Sequence, residues 1–344
     1  MAKALKFMNT TFATTFGSGF EDSRFAARAY KIDVPRRLDV LPRHKFYPGD
    51  EFRLFLNVLH AAQHQKTLLL FSSRGFLKPE PLAALVLSFR PKHRRPKVML
   101  YGEMYEPNRG PLGLLEKLFI RMMDRSIARY VVYSRAEAAN FAHTWGIDPA
   151  KINVCNFYLR KAKMALSLPA LPPEPHIFAG GNSFRDYEAL LGAARQLPEY
   201  EFVLCTTRLA QRKDLPSNVK VSWPPLDEYY ALMFSAALVI IPLQPRLHRS
   251  AGMLTYLEAM WYKKPFIVSN APGVRDYVLD REDGLIVDGT IENYIQGIRW
   301  MLNPANKERV AQMCEKAHQA VMEHFTLEKH ITQLLAVIDE TTAN

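Results

Sequence analysis

The sequence predicts an α/β protein with two domains, each built on a parallel sheet covered by helices. Short apolar runs that suit buried strands alternate with longer segments whose apolar residues recur at helical spacing. The chain has 344 residues, more than one ordinary hydrophobic core accommodates. Four prolines fall within SLPALPPEPH, residues 167–176, and such a segment favours an extended connector. We therefore expect a first domain over 1–166, a linker over 167–175 and a second domain over 176–344.

The first domain alternates strands and helices from its start. Its predicted strands are LKFMNTTF (5–12), KTLLLFSS (66–73), KVMLYGEMY (97–105) and VVYS (131–134). Its predicted helices are EFRLFLNVLHAAQHQ (51–65), PEPLAALVLSF (79–89), LGLLEKLFIRMMDRSIARY (112–130) and AEAANFAHTWG (136–146). Pro79 suits a first helical turn and Gly146 a helix end. Strands joined through helices predict a parallel sheet.

The second domain repeats this alternation. Its predicted strands are HIFAGG (176–181), EFVLCTT (201–207), VKVSW (219–223), LVIIPL (238–243), PFIVSN (265–270) and DGLIVDG (283–289). Helices are expected over 185–198, over 226–237, from Gly252, and in three stretches after Thr290, of which the last is expected to cross back to the first domain. Ligands of such sheets bind at the carboxyl ends of the strands, and two such domains are expected to face each other across a cleft.

Composition excludes several classes of protein. No apolar run reaches the roughly 18 residues that span a bilayer, and the N-terminal residues lack the layout of a signal peptide. Three widely spaced cysteines, Cys155, Cys205 and Cys314, argue against a disulfide framework and suit a reducing cytoplasm. We expect each of them to be a small buried apolar residue.

The most informative stretch is residues 250–289, SAGMLTYLEAMWYKKPFIVSNAPGVRDYVLDREDGLIVDG. A Gly-opened helix carries one acidic residue, Glu258, among apolar neighbours, and a buried strand follows. A helix start offers amide groups without intrahelical partners and a favourable dipole for an anion. Together with GGNSFRDYEALL (180–191) and PPLDEYYALMFSAALVIIPL (224–243), this stretch resembles the nucleotide-sugar domain of family-4 glycosyltransferases, which have the two-domain GT-B fold.

The resemblance implies a donor site for a nucleotide-diphosphate sugar. Arg185 would contact the phosphates, because an arginine fork suits phosphate geometry. Glu258 would accept hydrogen bonds from the ribose hydroxyls. The remaining donor-binding residues implied by the resemblance are Gly181, Asn182, Ala251, Gly252, Met253, Leu254, Gly17, Ser18 and Gly19.

Two positions depart from the family pattern. Ser250 stands where the family usually has the first of two glutamates, which holds the donor sugar, so sugar identity and retention of configuration stay open. Asn182 stands where a second phosphate cation is often found. Five cations could compensate, and spacing does not choose among them: Arg208, Arg212, Lys213, Arg246 and Arg249.

On the acceptor side, the resemblance directs attention to the strand KVMLYGEMYEP. Family members often carry a histidine at the end of the matching strand, and here Glu103 stands nearby. A carboxylate there could orient or deprotonate an acceptor hydroxyl. A structural or capping role for the same residue remains an alternative.

No metal site or cofactor is expected beyond the nucleotide-sugar co-substrate, since the sequence has no Asp-x-Asp pair. His60 and His64 share a helix face without a third ligand, so we assign them no metal. The predicted function is a retaining, metal-independent glycosyltransferase acting on a lipid-linked or cell-surface glycan. A nucleotide-sugar epimerase of similar fold and a non-catalytic membrane-docking subunit remain as alternatives.

The charge is strongly asymmetric. The first 165 residues carry 28 Lys and Arg against 13 Asp and Glu, whereas the whole chain has a net charge of +11. This predicts an anionic partner for the first domain, and in the absence of a nucleic-acid module we expect the inner face of the cytoplasmic membrane. The residues expected to face it are Arg90, Lys92, Arg94, Arg95, Lys97, Lys117, Arg121 and Arg125.

Overall fold

The computed structural model describes residues 10–39, 47–71, 75, 77–102, 105–160 and 175–343. These residues form two compact units. The first contains the residues up to Asn156 together with the C-terminal stretch from His330, and the second contains Phe157–Lys329. The sequence placed the first boundary at residue 166, so the division comes earlier than predicted. The predicted linker lies almost wholly outside the described residues.

The first unit contains a six-stranded parallel sheet in the order β2-β1-β3-β4-β5-β6. The strands are β1 (Phe12–Thr14), β2 (Ala29–Lys31), β3 (Thr67–Phe71), β4 (Lys97–Tyr101), β5 (Ile127–Val132) and β6 (Ile152–Val154). Its helices are α1 (Ser23–Arg28), α2 (Arg36–Asp39), α3 (Pro48–His64), α4 (Pro79–Ser88), α5 (Pro111–Asp124) and α6 (Arg135–Trp145).

The second unit contains a parallel sheet of equal size in the order β12-β11-β10-β7-β8-β9. The strands are β7 (His176–Gly180), β8 (Glu201–Cys205), β9 (Val219–Ser222), β10 (Leu238–Ile241), β11 (Phe266–Ser269) and β12 (Leu285–Val287). The helices are α7 (Glu188–Arg195), α8 (Leu226–Ser235), α9 (Met253–Trp261), α10 (Ile291–Leu302), α11 (Lys307–His324) and α12 (Leu327–Ala343), the last of which continues into the first unit.

Each unit has its own apolar core, formed where helices cover its sheet. The inner strands are nearly continuous apolar runs, as expected when both faces of a parallel sheet are covered. The predicted α/β class and the two parallel sheets are therefore confirmed.

The structure differs from the prediction at one helix and at two edge strands. The helix expected over 112–130 ends at Asp124, and its last residues form most of β5 instead. The β-branched and aromatic residues of IARYVV suit a buried strand, whereas the preceding residues up to Asp124 hold the helical spacing. The short edge strands β2 and β6, of three residues each, were not predicted.

All three cysteines are buried and free, as predicted. Burial raises the pKa of the Cys155 thiol to about 12. It also raises the pKa of Cys205 and of Cys314 to about 11. These thiols therefore behave as apolar packing groups.

Candidate functional site

The second sheet changes direction between β7 and β10. From β7 the chain builds outward through β8 and β9, and it then returns to β10 and builds the other way. At such a switch point the loops after the two central strands diverge, which leaves a crevice at their carboxyl ends. Here these ends are Gly180 and Ile241. The donor-binding residues predicted in the second unit follow these two strands.

The loop after β7 is held against the segment after β10. Asp186 N donates to Pro242 O (2.8 Å), and Gln244 N donates to Phe184 O (3.0 Å). Gly181 and Phe184 have φ angles of 110° and 54°. The second is unusual for a residue with a side chain, and such strained backbone clusters at binding sites. The loop is thus fixed in one conformation at the switch point.

Arg185 is buried within this loop, with 6% of its surface exposed. Its Nε donates to Gly180 O (3.1 Å), its Nη1 to Ser183 O (3.0 Å) and its Nη2 to Thr255 Oγ1 (3.1 Å). These bonds to described residues use three of its five N–H donors. Burial lowers the pKa of Arg185, yet a guanidinium remains protonated in proteins. The site therefore contains a fixed positive charge.

Helix α9 begins beside this charge. Gly252 is its N-cap, with φ of 76° and no side-chain cap. A Cβ at Gly252 would lie 2.9 Å from Leu243 Cδ2, so both backbone conformation and space require glycine. The helix begins at Met253, one residue after the predicted Gly252. Because Thr255 accepts from Arg185, the guanidinium and the uncapped amides of the first turn lie together.

Glu258 lies one turn further along α9 and is buried. Its Oε1 accepts a 2.8 Å hydrogen bond from the Tyr230 hydroxyl on α8. Burial, and then the charge of Glu258, raise the pKa of Tyr230 well above its usual value, so the tyrosine remains a donor. Tyr230 therefore fixes one oxygen of the carboxylate, and sequence reasoning did not identify this partner.

The side chain of Asn182 forms hydrogen bonds within the protein. Its Oδ1 accepts from Thr206 Oγ1 (2.7 Å) and Thr207 N (2.9 Å), which ties the loop to the end of β8. Arg208 lies beside it and donates through Nη1 to Asn182 O (3.2 Å) and Arg185 O (2.9 Å). Among the five cations left open by the sequence, Arg208 is thus joined directly to the Arg185 loop.

Two other candidates have different partners. Arg212 forms ion pairs with Glu188 and Asp214 on the surface. Arg249 lies over the ring of Phe184, 4.8 Å from its centroid. Arg208 is therefore the better candidate for the second phosphate cation.

The other predicted residues of this segment have distinct environments. Ser250, Ala251 and Met253 are buried, whereas Leu254 is exposed at the start of α9. Gly181 packs against the Arg185 guanidinium, since a Cβ there would lie 3.3 Å from Nη2. None of these contacts tests a role in binding the sugar.

An exposed tryptophan follows β9 and was not predicted as a site residue. Trp223 has 54% of its surface exposed, and its ring lies 6.2 Å from that of Tyr229. A Cβ at Gly180 would lie 2.4 Å from Tyr229 Oη, so this tyrosine covers the end of β7. An exposed aromatic face at the carboxyl edge of the sheet is a platform for a planar ligand group. The strand-end position was the only sequence signal for it.

In the first unit, the predicted residues Gly17, Ser18 and Gly19 open a 3₁₀ helix, Gly17–Glu21, after β1. Packing explains the glycine at position 19, because a Cβ there would lie 2.5 Å from the Phe25 ring. This helix follows β1, at the switch point of the first sheet between β1 and β3. Glu103 lies outside the described residues.

Some residues of the predicted basic surface form contacts within the protein. Lys97 Nζ donates to Thr341 O (3.0 Å), so it caps the end of α12. Arg95 donates to the carbonyls of Arg90 and Arg125, and Arg90 donates to Ala62 O (3.3 Å). These three side chains bind the protein's own carbonyls rather than pointing freely outward. Lys92, Arg94, Arg121 and Arg125 are exposed and Lys117 is half-buried.

Two searches concern the described part of the chain. No group of three or more His, Cys, Asp and Glu side chains there is arranged to hold a metal ion. No helix in the same residues combines the length and apolar character needed to cross a bilayer.

Comparison with known proteins identifies the second unit. Residues 192–320 match the family model described as glycosyl transferases group 1. This part of the chain is similar to group 1 glycosyl transferases. This region contains α9 with Gly252 and Glu258, together with Arg208, whereas Arg185 precedes it. A search of curated proteins gave no match.

Solved structures extend the likeness across both units of this glycosyltransferase. Sucrose-phosphate synthase from Thermosynechococcus elongatus is 16% identical with a TM-score of 0.65, covering 94% of this chain and 85% of that chain. HepE from Anabaena, in complex with UDP, is 13% identical with a TM-score of 0.65 and coverages of 96% and 99%. A glycosyltransferase from Rickettsia africae is 13% identical with a TM-score of 0.66 and coverages of 100% and 95%.

These findings confirm the predicted fold and enzyme class. The chain is a glycosyltransferase of the GT-B fold, and the family model and the structural neighbours agree on this. The narrower likeness to family 4 stays a prediction.

Proposed function

We propose that this glycosyltransferase uses a nucleoside-diphosphate sugar as donor and binds its diphosphate between Arg185 and the start of α9. The single observation that supports this is the 3.1 Å bond from Arg185 Nη2 to Thr255 Oγ1, which joins a buried cation to an uncapped helix N-terminus. Both features stabilise negative charge, and both lie at the switch point of the second sheet. Arg208 supplies the second cation.

The proposed donor carries uridine. Solved structures of HepE are described as complexes with UDP and with UDP-glucose, and that protein shares the fold of this chain. In our proposal Glu258 accepts hydrogen bonds from the ribose, while Tyr230 holds its carboxylate in place. Trp223 offers its exposed face to the nucleobase.

In the proposed transfer, the bond between the anomeric carbon of the sugar and the diphosphate oxygen breaks, and an acceptor hydroxyl oxygen bonds to that carbon. Arg185, Arg208 and the amides of α9 stabilise the charge that develops on the departing diphosphate. We propose that the reaction is metal-independent because these groups supply the positive charge. We also propose retention of configuration, with the departing phosphate accepting the hydroxyl proton.

The proposed acceptor is a lipid-linked or cell-surface glycan, reached at the cytoplasmic face of the membrane. The charge of the first 165 residues, 28 Lys and Arg against 13 Asp and Glu, supports an anionic surface as the partner. Glu103 remains the proposed acceptor-side carboxylate.

A thermal-shift panel tests the donor proposal. UDP and UDP-sugars are expected to raise the melting temperature, because a ligand that binds only the folded protein stabilises it. Adenosine and guanosine diphosphates and their sugars serve as comparison ligands. Release of UDP that depends on added acceptor would support transfer. An absence of any shift with all nucleotides would overturn the proposed site.

A further inference from the structure

The N-terminal half of helix α5 differs from an ordinary surface helix. Its core side carries a glutamate, Glu116, which is 1% exposed. Its outer side carries Leu114, Leu115 and Leu118, which are 72%, 63% and 57% exposed. Surface helices normally turn their apolar stripe to the core and their charges to water. These leucines are therefore unused by the packing of the first unit.

The orientation of α5 is fixed by specific contacts. Glu116 accepts from Asn108 N (2.9 Å) and also from the side-chain amide of Asn108. A Cβ at Gly113 would lie 2.2 Å from Asn108 O, so the segment before the helix can pack here only against glycine. Ile120 and Met123 continue the buried face. Rotation of the helix to bury the leucines would break all these contacts.

The outer side of α5 carries no negative charge. Every exposed residue between 108 and 125 is apolar, neutral or cationic, and the cations are Arg109, Arg121 and Arg125. The acidic residues of this stretch are used within the protein, because Glu116 is buried and Asp124 pairs with Lys151 at 2.8 Å. Leucines flanked by arginines on one helix face are typical of helices that lie in the headgroup region of a bilayer.

Apolar exposure continues on the neighbouring helices. In the described part of the first unit, the large apolar side chains that are exposed all lie on α3, α4 and α5 or directly beside an end of α4. Helix α4 packs against both α3 and α5, so the three helices form one layer. Contiguous apolar surface of this kind marks an interaction site. The members outside α5 are Phe52, Leu56, Leu77, Val86 and Phe89.

The leucines lie near the ligand edge of the first sheet. Helix α5 follows β4, which ends at Tyr101, so the N-terminal half of α5 lies at the carboxyl edge of this sheet. Asn108 ties the segment between them to Glu116. An acceptor held in a lipid layer would thus meet the protein beside the sheet edge where ligands bind.

We propose that the exposed leucine face of α5, formed by Leu112, Leu114, Leu115 and Leu118, docks this enzyme on an anionic lipid bilayer. The inference rests on the proposed function, because it supplies the surface from which a lipid-linked acceptor is taken. It also narrows the docking surface, because the predicted set included both residues 90–97 and cations of α5, whereas the proposed surface is centred on the N-terminal half of α5. The leucines enter the boundary between headgroups and acyl chains, and Arg109 and Arg121 contact the headgroups.

Vesicle flotation of the full chain tests this proposal. The probes are vesicles of phosphatidylcholine alone and of phosphatidylcholine with an equal share of phosphatidylglycerol. The wild type is expected to float with the anionic vesicles, less so at high salt. The double variant L114Q/L118Q is expected to bind about tenfold more weakly or worse, because two apolar side chains no longer enter the lipid.

A matched control separates this surface from general loss of apolar surface. Leu279 and Met322 lie in the second unit and are similarly exposed, at 57% and 53%. The variant L279Q/M322Q is expected to float like the wild type. Equal flotation of L114Q/L118Q and wild type would overturn the proposal, as would a wild type that binds neither vesicle. A dimer that the leucine changes convert to monomer, without vesicle binding, would assign the face to a second copy and also overturn it.

The donor site provides an independent measurement. The shift in melting temperature caused by UDP, recorded without vesicles, is expected to be the same in wild type and L114Q/L118Q. Loss of flotation with an unchanged UDP response supports the docking surface. A wild type that floats but shows no response to any nucleotide would overturn the proposed donor site and leave the docking surface standing.

Discussion

Arg185 donates a 3.1 Å hydrogen bond to Thr255, and this bond joins the loop after β7 to the first turn of α9. The two segments belong to opposite halves of the second sheet, which meet at its switch point. Because the guanidinium is also bound to Gly180 O and Ser183 O, its position does not depend on a ligand. A preorganised cation avoids the cost of ordering a flexible side chain upon binding.

The variant Arg185→Lys is expected to weaken UDP binding by roughly tenfold or more. Lysine retains the charge but cannot reach three acceptors at fixed angles, and hydrogen bonds to charged groups contribute about 1.5–3 kcal/mol. Calorimetric titration with UDP measures the loss, and melting without ligand reports any structural damage. Arg195→Lys, at a surface ion pair with Asp214, is the control and should bind like the wild type. Equal affinity in both variants would contradict the role of Arg185.

The variant Gly252→Ala is expected to weaken UDP binding and to lower stability. A side chain in the left-handed region costs about 1–2 kcal/mol, and here the new Cβ would also press on Leu243 at 2.9 Å. Gly289 has almost the same φ, 75°, but a Cβ there would make only ordinary contacts, the nearest at 3.7 Å from Ser269 Oγ. Gly289→Ala should therefore lower the melting temperature less and leave UDP affinity unchanged. The proposal fails for Gly252 if the two variants bind UDP equally.

The variant Glu258→Gln is expected to weaken UDP binding while leaving pyrophosphate binding unchanged. Glutamine preserves shape but loses the charge that strengthens hydrogen bonds to ribose, a loss of roughly tenfold. Titrations with UDP and with pyrophosphate separate the two effects. Glu228→Gln changes an exposed glutamate on α8 and serves as the control. Equal weakening of UDP and pyrophosphate would point to a general disturbance of α9 instead.

His330 predicts a pH dependence of stability. It is buried, its Nδ1 faces Asn156 O at 2.7 Å, and its Nε2 faces the Tyr101 hydroxyl at 2.9 Å. Burial lowers its pKa to about 4. Between pH 6.5 and about 4 the unfolded chain binds a proton that the folded chain excludes. Stability should therefore be complete above pH 6.5 and fall as the pH drops, by up to about 3 kcal/mol.

Melting curves from pH 7.5 to pH 5 would measure this effect. The variant His330→Gln is expected to be less stable at neutral pH but to lose less stability on acidification. The matched change His93→Gln removes an exposed histidine and should keep the wild-type pH profile. A His330→Gln protein that follows the wild-type profile would exclude His330 as the titrating group.

Where one segment carried the whole signal, the sequence predicted which element holds each candidate residue. Gly252 and Glu258 lie on a single helix, so their order along the chain located them on α9. Arg185 was found because it follows a glycine turn at a strand end. The partners Thr255 and Tyr230 were not identified, and Arg208 was left as one of five candidates, because these contacts join separate segments and depend on how the strands are ordered in the sheet.

The same limit applies to the first unit. The sequence shows cations in residues 89–97, but not that Lys97 reaches the last turn of α12, far along the chain. For α5, leucines occur on several sides of the helix, and periodicity alone does not choose which of them faces the core. The hydrogen bond from Asn108 to Glu116 determines which side of α5 faces the core, and no local sequence pattern predicts this contact.

The inert character of Cys155, Cys205 and Cys314 has a practical consequence. Since all three thiols are buried and have raised pKa values, maleimide reagents should find none of them in the folded protein. A single cysteine introduced at an outward position could then carry a fluorophore or spin label without first removing any natural thiol. A labelled single-cysteine variant would therefore allow ligand binding to be followed by fluorescence or spin-label spectroscopy.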